Sequence, residues 1–214
     1  MAYENIKQII IDSCRKMQAE GLIHGTSGNI SIKIDDNTVA ISPSSIPYDV
    51  LTVDDIPLVD INGNVIEGSK KPSSETPMHT AIYRARKDVK AIVHCHAIYS
   101  TVFSTLGYDC LPLISVPSLF YEQVKVAPFF HPGTKELADA AVEGFGEKGS
   151  AVILKNHGLI SACDSIEKAM TCCSYIEETA QITCLALQIT KSPAVIDEKS
   201  ADMLHQKALK GEAL

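Results

Sequence analysis

The 214-residue sequence predicts an α/β sandwich whose sheet is largely antiparallel or mixed. Two observations carry that reading. Helical periodicity occupies both ends and the middle of the chain, and the stretches between hold short β-rich runs bounded by turn residues. No internal repeat, low-complexity tract or linker interrupts the pattern, so residues 1–214 read as a single domain.

Ile6, Ile9, Ile10, Cys14 and Met17 recur at three- and four-residue steps and stop at Gly21, which predicts a helix over about residues 3–20. Asn29–Ile34 then alternates, and Asp35-Asp36-Asn37 offers a tight turn into Val39–Ile41, hence a hairpin. A strand around Leu58–Ile61 leads through Asn62-Gly63-Asn64 to a short arm at Val65–Ile66. Thr76-Pro77 reads as a helix start, with Thr as the cap and Met78, Ala81, Ile82 and Ala85 as the apolar stripe. Ala91–His96 is a buried strand, and a second helix begins near Ile98. Leu113–Val116 reads as a short strand before an irregular segment ending at Gly133, after which Thr134 caps a helix to about Phe145. Ala151–Leu154 is a buried strand, broken at Asn156-His157-Gly158 and resumed at Leu159–Ala162. A long helix runs from Asp164 or Ser165 to about Ile189, with a short helix near Glu198–Leu209.

Hydrophobic residues make up 45% of the chain and aromatics only 6%, with no Trp, so Ile, Val, Leu and Ala must pack the core. A formal charge of -7 argues against general affinity for nucleic acid or anionic membranes, because both need a basic footprint. A phosphorylated ligand would have to be gripped by backbone N–H groups, hydroxyls and a metal. The seven cysteines form no CxxC pair and read as reduced thiols. Neither a signal peptide nor an apolar run of about 18 residues is present, so the expectation is a cytoplasmic soluble protein.

His94 and His96 sit two apart on the apolar strand, so both side chains leave the same face. They make half of a metal site or a pair of hydrogen-bonded core histidines. His157, at the end of another buried strand and followed by Gly158, is a third imidazole of the same two readings. Glu75 is the nearby carboxylate, able to move a proton beside a metal or simply favoured by the helix dipole. Three loops rich in hydroxyls and glycine, Gly25–Asn29, Ser42–Ser45 and Ser73-Ser74, are either an anion cradle or surface turns.

Five segments in this order and spacing resemble the class II aldolase/adducin family, most closely its bacterial L-fuculose-1-phosphate aldolase branch. They are Gly25–Ser31, Ile41–Asp49, Lys71–His79, Ile92–Ala97 and Leu154–Ile160, and the resemblance spans roughly residues 5–190. It implies a three-layer α/β/α sandwich around a mostly antiparallel sheet, and a homotetramer with active sites between neighbouring subunits. By the resemblance His94, His96 and His157 bind zinc, or manganese or cobalt in its place. Glu75 ligates the resting metal and acts as acid/base once substrate displaces it. Thr26, Gly28, Asn29, Ser44, Ser45, Ser73 and Ser74 match the positions that hold the substrate phosphate. The implied reaction is cleavage of a ketose 1-phosphate to dihydroxyacetone phosphate and a short aldehyde such as lactaldehyde, through a metal-stabilised enediolate.

The chain departs from that branch on the aldehyde side. Val116 stands where a tyrosine is usual, and the tail from Ala201 to Leu214 has no tyrosine, which leaves Tyr121 as the nearest substitute, with His131 behind it. Ser45 replaces a usual glycine, which would tighten the phosphate loop. A pentulose-5-phosphate 4-epimerase would carry aspartate in place of Glu75, which favours the aldolase. Decarboxylases of sugar-acid phosphates and a methylthioribulose-phosphate dehydratase share the metal and phosphate groups and differ in segment 112–133. A non-catalytic adducin-like scaffold would lack the metal ligands, and all four are present.

Overall fold

The protein is described from a computed structural model, covering residues 2–115 and 121–209. In chain order the elements are α1 (Ala2–Ala19), β1 (Asn29–Lys33), β2 (Thr38–Ile41), β3 (Leu58–Asp60), β4 (Val65–Glu67), α2 (Thr76–Ala85) and β5 (Ala91–Cys95). They continue with α3 (Ile98–Ser104), β6 (Lys125–Ala127), α4 (Lys135–Phe145), β7 (Ala151–Leu154), β8 (Gly158–Cys163), α5 (Ile166–Ile189) and α6 (Glu198–Leu209).

The strands form one sheet in the order β4-β3-β2-β1-β5-β8-β7-β6. Every adjacent pair is antiparallel except β6 with β7, so the sheet is mixed and dominated by antiparallel pairing. Alternate residues of the central strands leave opposite faces, and both faces are apolar. Ile30, Val93, Cys95, Ile153 and Leu159 pack with α1 and α5. Val39, Ile41, Ile92, Val152, Leu154 and Ile160 pack with α2 and α4. Two cores, one on each side, make the expected three-layer α/β/α sandwich.

Helix α1 shows how locally this is dictated. Ile10, Cys14 and Met17 are fully buried, and the chain leaves the helix at Gly21 in the left-handed region, φ +74, while Leu22 N donates to Met17 O. Each such aliphatic side chain contributes about 1.5–3 kcal/mol on burial. Ser165 and Thr134 cap α5 and α4 as expected, each hydroxyl accepting the backbone N–H three residues on.

Three local expectations need correcting. The cap of α2 is Glu75, and Thr76 is already helical; its Oγ1 donates to Ser73 O at 2.6 Å. Residues 113–115 form no strand, and Val116 lies outside the described residues. The edge strand β6 lies in the stretch read as irregular; it is only three residues long and half exposed, so it carries almost no periodic signal. All seven cysteines are free, as expected. Among the described residues no helix is long and apolar enough to cross a membrane.

Candidate active site

The register of the sheet assembles the site. Asn29 of β1 sits opposite His94 of β5, and His94 opposite Ile160 of β8, so the ends of three neighbouring strands reach one edge of the sheet together. His94 points to the α2 side, the opposite face from Val93 and Cys95. His157 comes from the turn joining β7 to β8. There Asn156 takes φ +55, and its N–H is accepted by Ser104 Oγ at 2.9 Å. Gly158 serves that turn by closeness: a Cβ on it would lie 2.4 Å from Cys95 O and 3.2 Å from the His96 ring. Any side chain there would push β8 off β5 and displace two of the imidazoles.

One ligand atom each from Glu75, His94, His96 and His157 lies within 4.8 Å of the others. The three imidazole rings stand at the corners of a near-equilateral triangle, with centroids 5.0, 4.8 and 5.0 Å apart and planes 69–79° to one another. His94 is fully buried and its Nδ1 is 3.0 Å from Leu159 O, a carbonyl that can only accept. The ring proton therefore sits on Nδ1, and Nε2 offers its lone pair to the cluster. That Nε2 lies 3.1 Å from His96 Nε2 and 3.0 Å from Glu75 Oε2, while His157 Nε2 lies 3.3 Å from Glu75 Oε1.

Tetrahedral coordination with Zn–N bonds of about 2.0–2.1 Å would set neighbouring nitrogens roughly 3.3 Å apart, which this spacing matches. The set is three nitrogens and one carboxylate oxygen, and it fits a divalent ion such as Zn2+. Unpartnered atoms support the fit. Among the described residues the buried side-chain polar atoms without a hydrogen-bond partner are Asn29 Oδ1, Glu75 Oε1, His79 Nε2 and His157 Nδ1, all from this site or the helix turn beneath it.

Electrostatics point the same way. Burial first, and then the neighbouring His94 imidazole, holds both His96 and His157 down at about 4, so both rings are neutral at physiological pH, the form that binds metal. For Glu75 burial favours the neutral acid, but His94, His157 and the Asn29 amide outweigh it and keep the carboxyl well below the usual range.

The expected phosphate loops converge on the same cavity. Thr26, Gly28, Asn29, Ser44, Ser45, Ser73 and Ser74 line a space of about 190 Å³ together with Glu75, His96 and His157. Their loops are stitched together by Ser42, whose N–H donates to Ile30 O and whose carbonyl accepts from Ser73 N, and by Ser44 N donating to Lys71 O. Ser45 adopts φ +62, the conformation a glycine would take freely. Asn29 also makes a contact that the sequence hid: its Nδ2 donates to Glu75 Oε2 at 2.9 Å.

Two further residues escaped sequence reasoning. Pro132 supplies an apolar patch to the cavity wall. His79, fully buried one turn beyond Glu75, joins Ser31 Oγ at 2.7 Å, and Tyr83 donates to Ser31 O at 3.0 Å. The four-residue step from Glu75 to His79 was the available signal. Tyr121 is placed elsewhere. It lines a separate cavity of about 340 Å³ with Leu113, Glu122 and the α6 residues Glu198, Asp202 and His205. His131 is exposed, with its ring edge-on to Phe129 at 5.7 Å.

The family model for the class II aldolase and adducin N-terminal domain matches residues 8–184. The chain belongs to this family. It is a class II aldolase, a metal-dependent lyase, and the Glu75–histidine cluster is the group that can hold its metal. The chain is 39% identical over 209 residues to the 5-deoxy-D-ribulose 1-phosphate aldolase of Bacillus thuringiensis serovar kurstaki, covering 97% of each chain. It is 35% identical over 214 residues to the L-fuculose phosphate aldolase of Escherichia coli K12, covering 96% of this chain and 95% of that one. A solved L-fuculose 1-phosphate aldolase superposes with a TM-score of 0.91 at 34% identity, covering 97% of each chain.

Proposed function

We propose that this aldolase cleaves a 1-phosphorylated deoxyketose, L-fuculose 1-phosphate or its five-carbon counterpart, to dihydroxyacetone phosphate and a short methyl-ended aldehyde. The observation that carries the reading is one cavity where Glu75, His96 and His157 meet three hydroxyl-rich loops, with His94 completing the ligand cluster behind them. Similarity to two aldolases whose substrates both end in a methyl group supports that choice, and so does the apolar wall at Pro132.

In this reading His94, His96, His157 and Glu75 hold a divalent cation, and that cation supplies Lewis-acid stabilisation of negative charge developing on the substrate's oxygens. The hydroxyls of Thr26, Ser44, Ser45, Ser73 and Ser74 grip the phosphate without a positive side chain, which suits a chain of net charge -7. Cleavage removes a proton from the hydroxyl on the aldehyde side and adds one to the carbon left behind. Glu75, once it has taken up a proton, is the group for the second transfer: Oε2 is held by Asn29, while Oε1 accepts no hydrogen bond and lies 3.3 Å from His157 Nε2. The first transfer takes the substrate's own hydroxyl proton and needs only an acceptor, which comes from outside the described pocket. We assign it to a neighbouring subunit of a homotetramer, a reading supported by exposed apolar residues on the packed pair α3 and α5: Ile98, Val102, Ile182, Leu185 and Ile189.

The test is a substrate panel on purified protein of known metal content. Ketose 1-phosphates, sugar-acid phosphates and pentulose 5-phosphates are assayed for aldehyde, carbon dioxide and epimer. Aldehyde and dihydroxyacetone phosphate from a deoxyketose 1-phosphate are expected; carbon dioxide or an epimer as the main product would overturn the proposal. Light scattering tests the assembly, with four chains expected and a monomer contradicting it.

A further inference from the structure

Tyr48 is 1% exposed and its hydroxyl donates to Gly28 O at 2.6 Å, with Ser27 O at 3.3 Å. Both carbonyls belong to the 25–29 loop that lines the cavity. Core packing alone would be satisfied by phenylalanine, so the hydroxyl has a polar purpose. Burial raises this phenol above its ordinary value, which keeps it a protonated donor.

Its backbone is gripped in turn. Tyr48 begins a single 3-10 turn, Tyr48–Val50, and Arg15 of α1 reaches across to it. The Arg15 Nε donates to Tyr48 O at 3.2 Å, and Nη2 donates to Asp49 O at 3.2 Å and Leu51 O at 3.1 Å. At the far end Gly28 lies directly against β5, the strand that carries His94. It takes φ +80, and a Cβ there would come within 2.7 Å of His94 O and 2.8 Å of the Ile23 side chain. The next residue, Asn29, holds Glu75.

We propose that Tyr48 is a positioning residue for the substrate phosphate: through Gly28 it fixes the 25–29 loop against His94, and Arg15 fixes Tyr48. The inference rests on that loop taking the phosphate, as argued above. A loop freed from this brace still closes around substrate, but must be ordered on binding, so the effect falls on affinity. Chemistry at Glu75 and the metal keeps its own supports, the Asn29 amide and the three imidazoles.

The test compares metal-loaded wild type with Tyr48→Phe, Arg15→Gln and a matched control, Tyr83→Phe, which also removes a buried hydroxyl donating to a backbone carbonyl. KM for the cleaved ketose 1-phosphate and the inhibition constant of inorganic phosphate are expected to rise together by about fivefold in Tyr48→Phe, the scale of one lost buried hydrogen bond. The saturated kcat should stay within about twofold. Arg15→Gln, at a partly exposed side chain, should move KM in the same direction by less. Tyr83→Phe should lower Tm and leave KM and phosphate inhibition alone. Unchanged KM and phosphate inhibition in Tyr48→Phe, or an equal rise in Tyr83→Phe, would overturn the brace while leaving the loop assignment standing. Failure of phosphate to inhibit the wild type would instead remove the loop assignment, and the brace with it.

Discussion

At the cavity, every chemical group is seated by backbone that has no freedom left. His94 and Asn29 lie in paired strands, His157 in a turn locked by Asn156 and Ser104, and Glu75 at the start of α2 with Asn29 on its carboxylate. The flank between α3 and α4 is held differently. Among its described residues, Leu111 N reaches Val124 O, Val126 N reaches Asp109 O and Ile196 N reaches Leu113 O, while Tyr108, Phe129 and Phe130 stand partly in solvent. The four candidate metal ligands thus sit on strand ends, a tight turn and a helix start, and the side that would meet the aldehyde is built from exposed loop. The first region can tolerate little change; the second is where substrate choice can vary without disturbing the first.

The strongest way to break this contrast is to remove a ligand. His96→Ala should abolish stoichiometric metal and lower turnover by on the order of a thousandfold, the scale of a lost Lewis acid. Metal analysis beside the aldolase assay checks it, and a metal-retaining, active variant would sink the site. Glu75→Gln is the sharper tool. It keeps a ligand oxygen and the Asn29 contact, so much of the metal should stay while kcat falls about a hundredfold from lost proton transfer. Wild-type turnover in that variant would remove Glu75 from the mechanism.

Acid tests the electrostatics of the same region. His79, His96 and His157 are held at about 3, about 4 and about 4 in the folded protein, by burial first and then by His94. The ordinary value is near 6.5, so between about pH 6.5 and 4 the unfolded chain binds more protons. Stability is therefore lost as pH falls through that window, and Glu75, whose folded value is also depressed, adds to the loss below its ordinary carboxylate range. A urea midpoint clearly lower at pH 5 than at pH 7 is expected for the metal-free protein; a midpoint that rises would contradict the burial argument.

The smallest effects belong to the periphery. Tyr121→Phe should change kcat/KM by less than about threefold and leave metal stoichiometry intact, because its ring lines a different cavity. A hundredfold loss would bring Tyr121 into a neighbour's site. Ser45→Gly should stabilise the protein by about 0.5–1 kcal/mol, since φ +62 is strained for serine and free for glycine. A lower Tm in that variant would mean that the Ser45 hydroxyl contributes more than its backbone costs.

How much of this was legible from the chain follows from the range of each interaction. His94 and His96 could be read because strand alternation is a two-residue rule, and the turns that line the cavity because glycine and serine mark turns. The cap of α2 was misplaced by one residue because Thr76 looks like a cap and in fact bonds back to Ser73. Asn29 gripping Glu75 depends on partners 46 residues apart in sequence, and no local pattern encodes that. Strand β6 was too short and too exposed to leave a period. The place of Tyr121 in the chain says nothing about which cavity its ring lines.

Anomalous scattering from crystals of zinc-loaded protein would test the central claim most directly. The expected result is one peak per chain, about 2.0–2.1 Å from the Nε2 atoms of His94, His96 and His157. A fully loaded crystal with its peak elsewhere, or with the three rings turned away from it, would contradict the account.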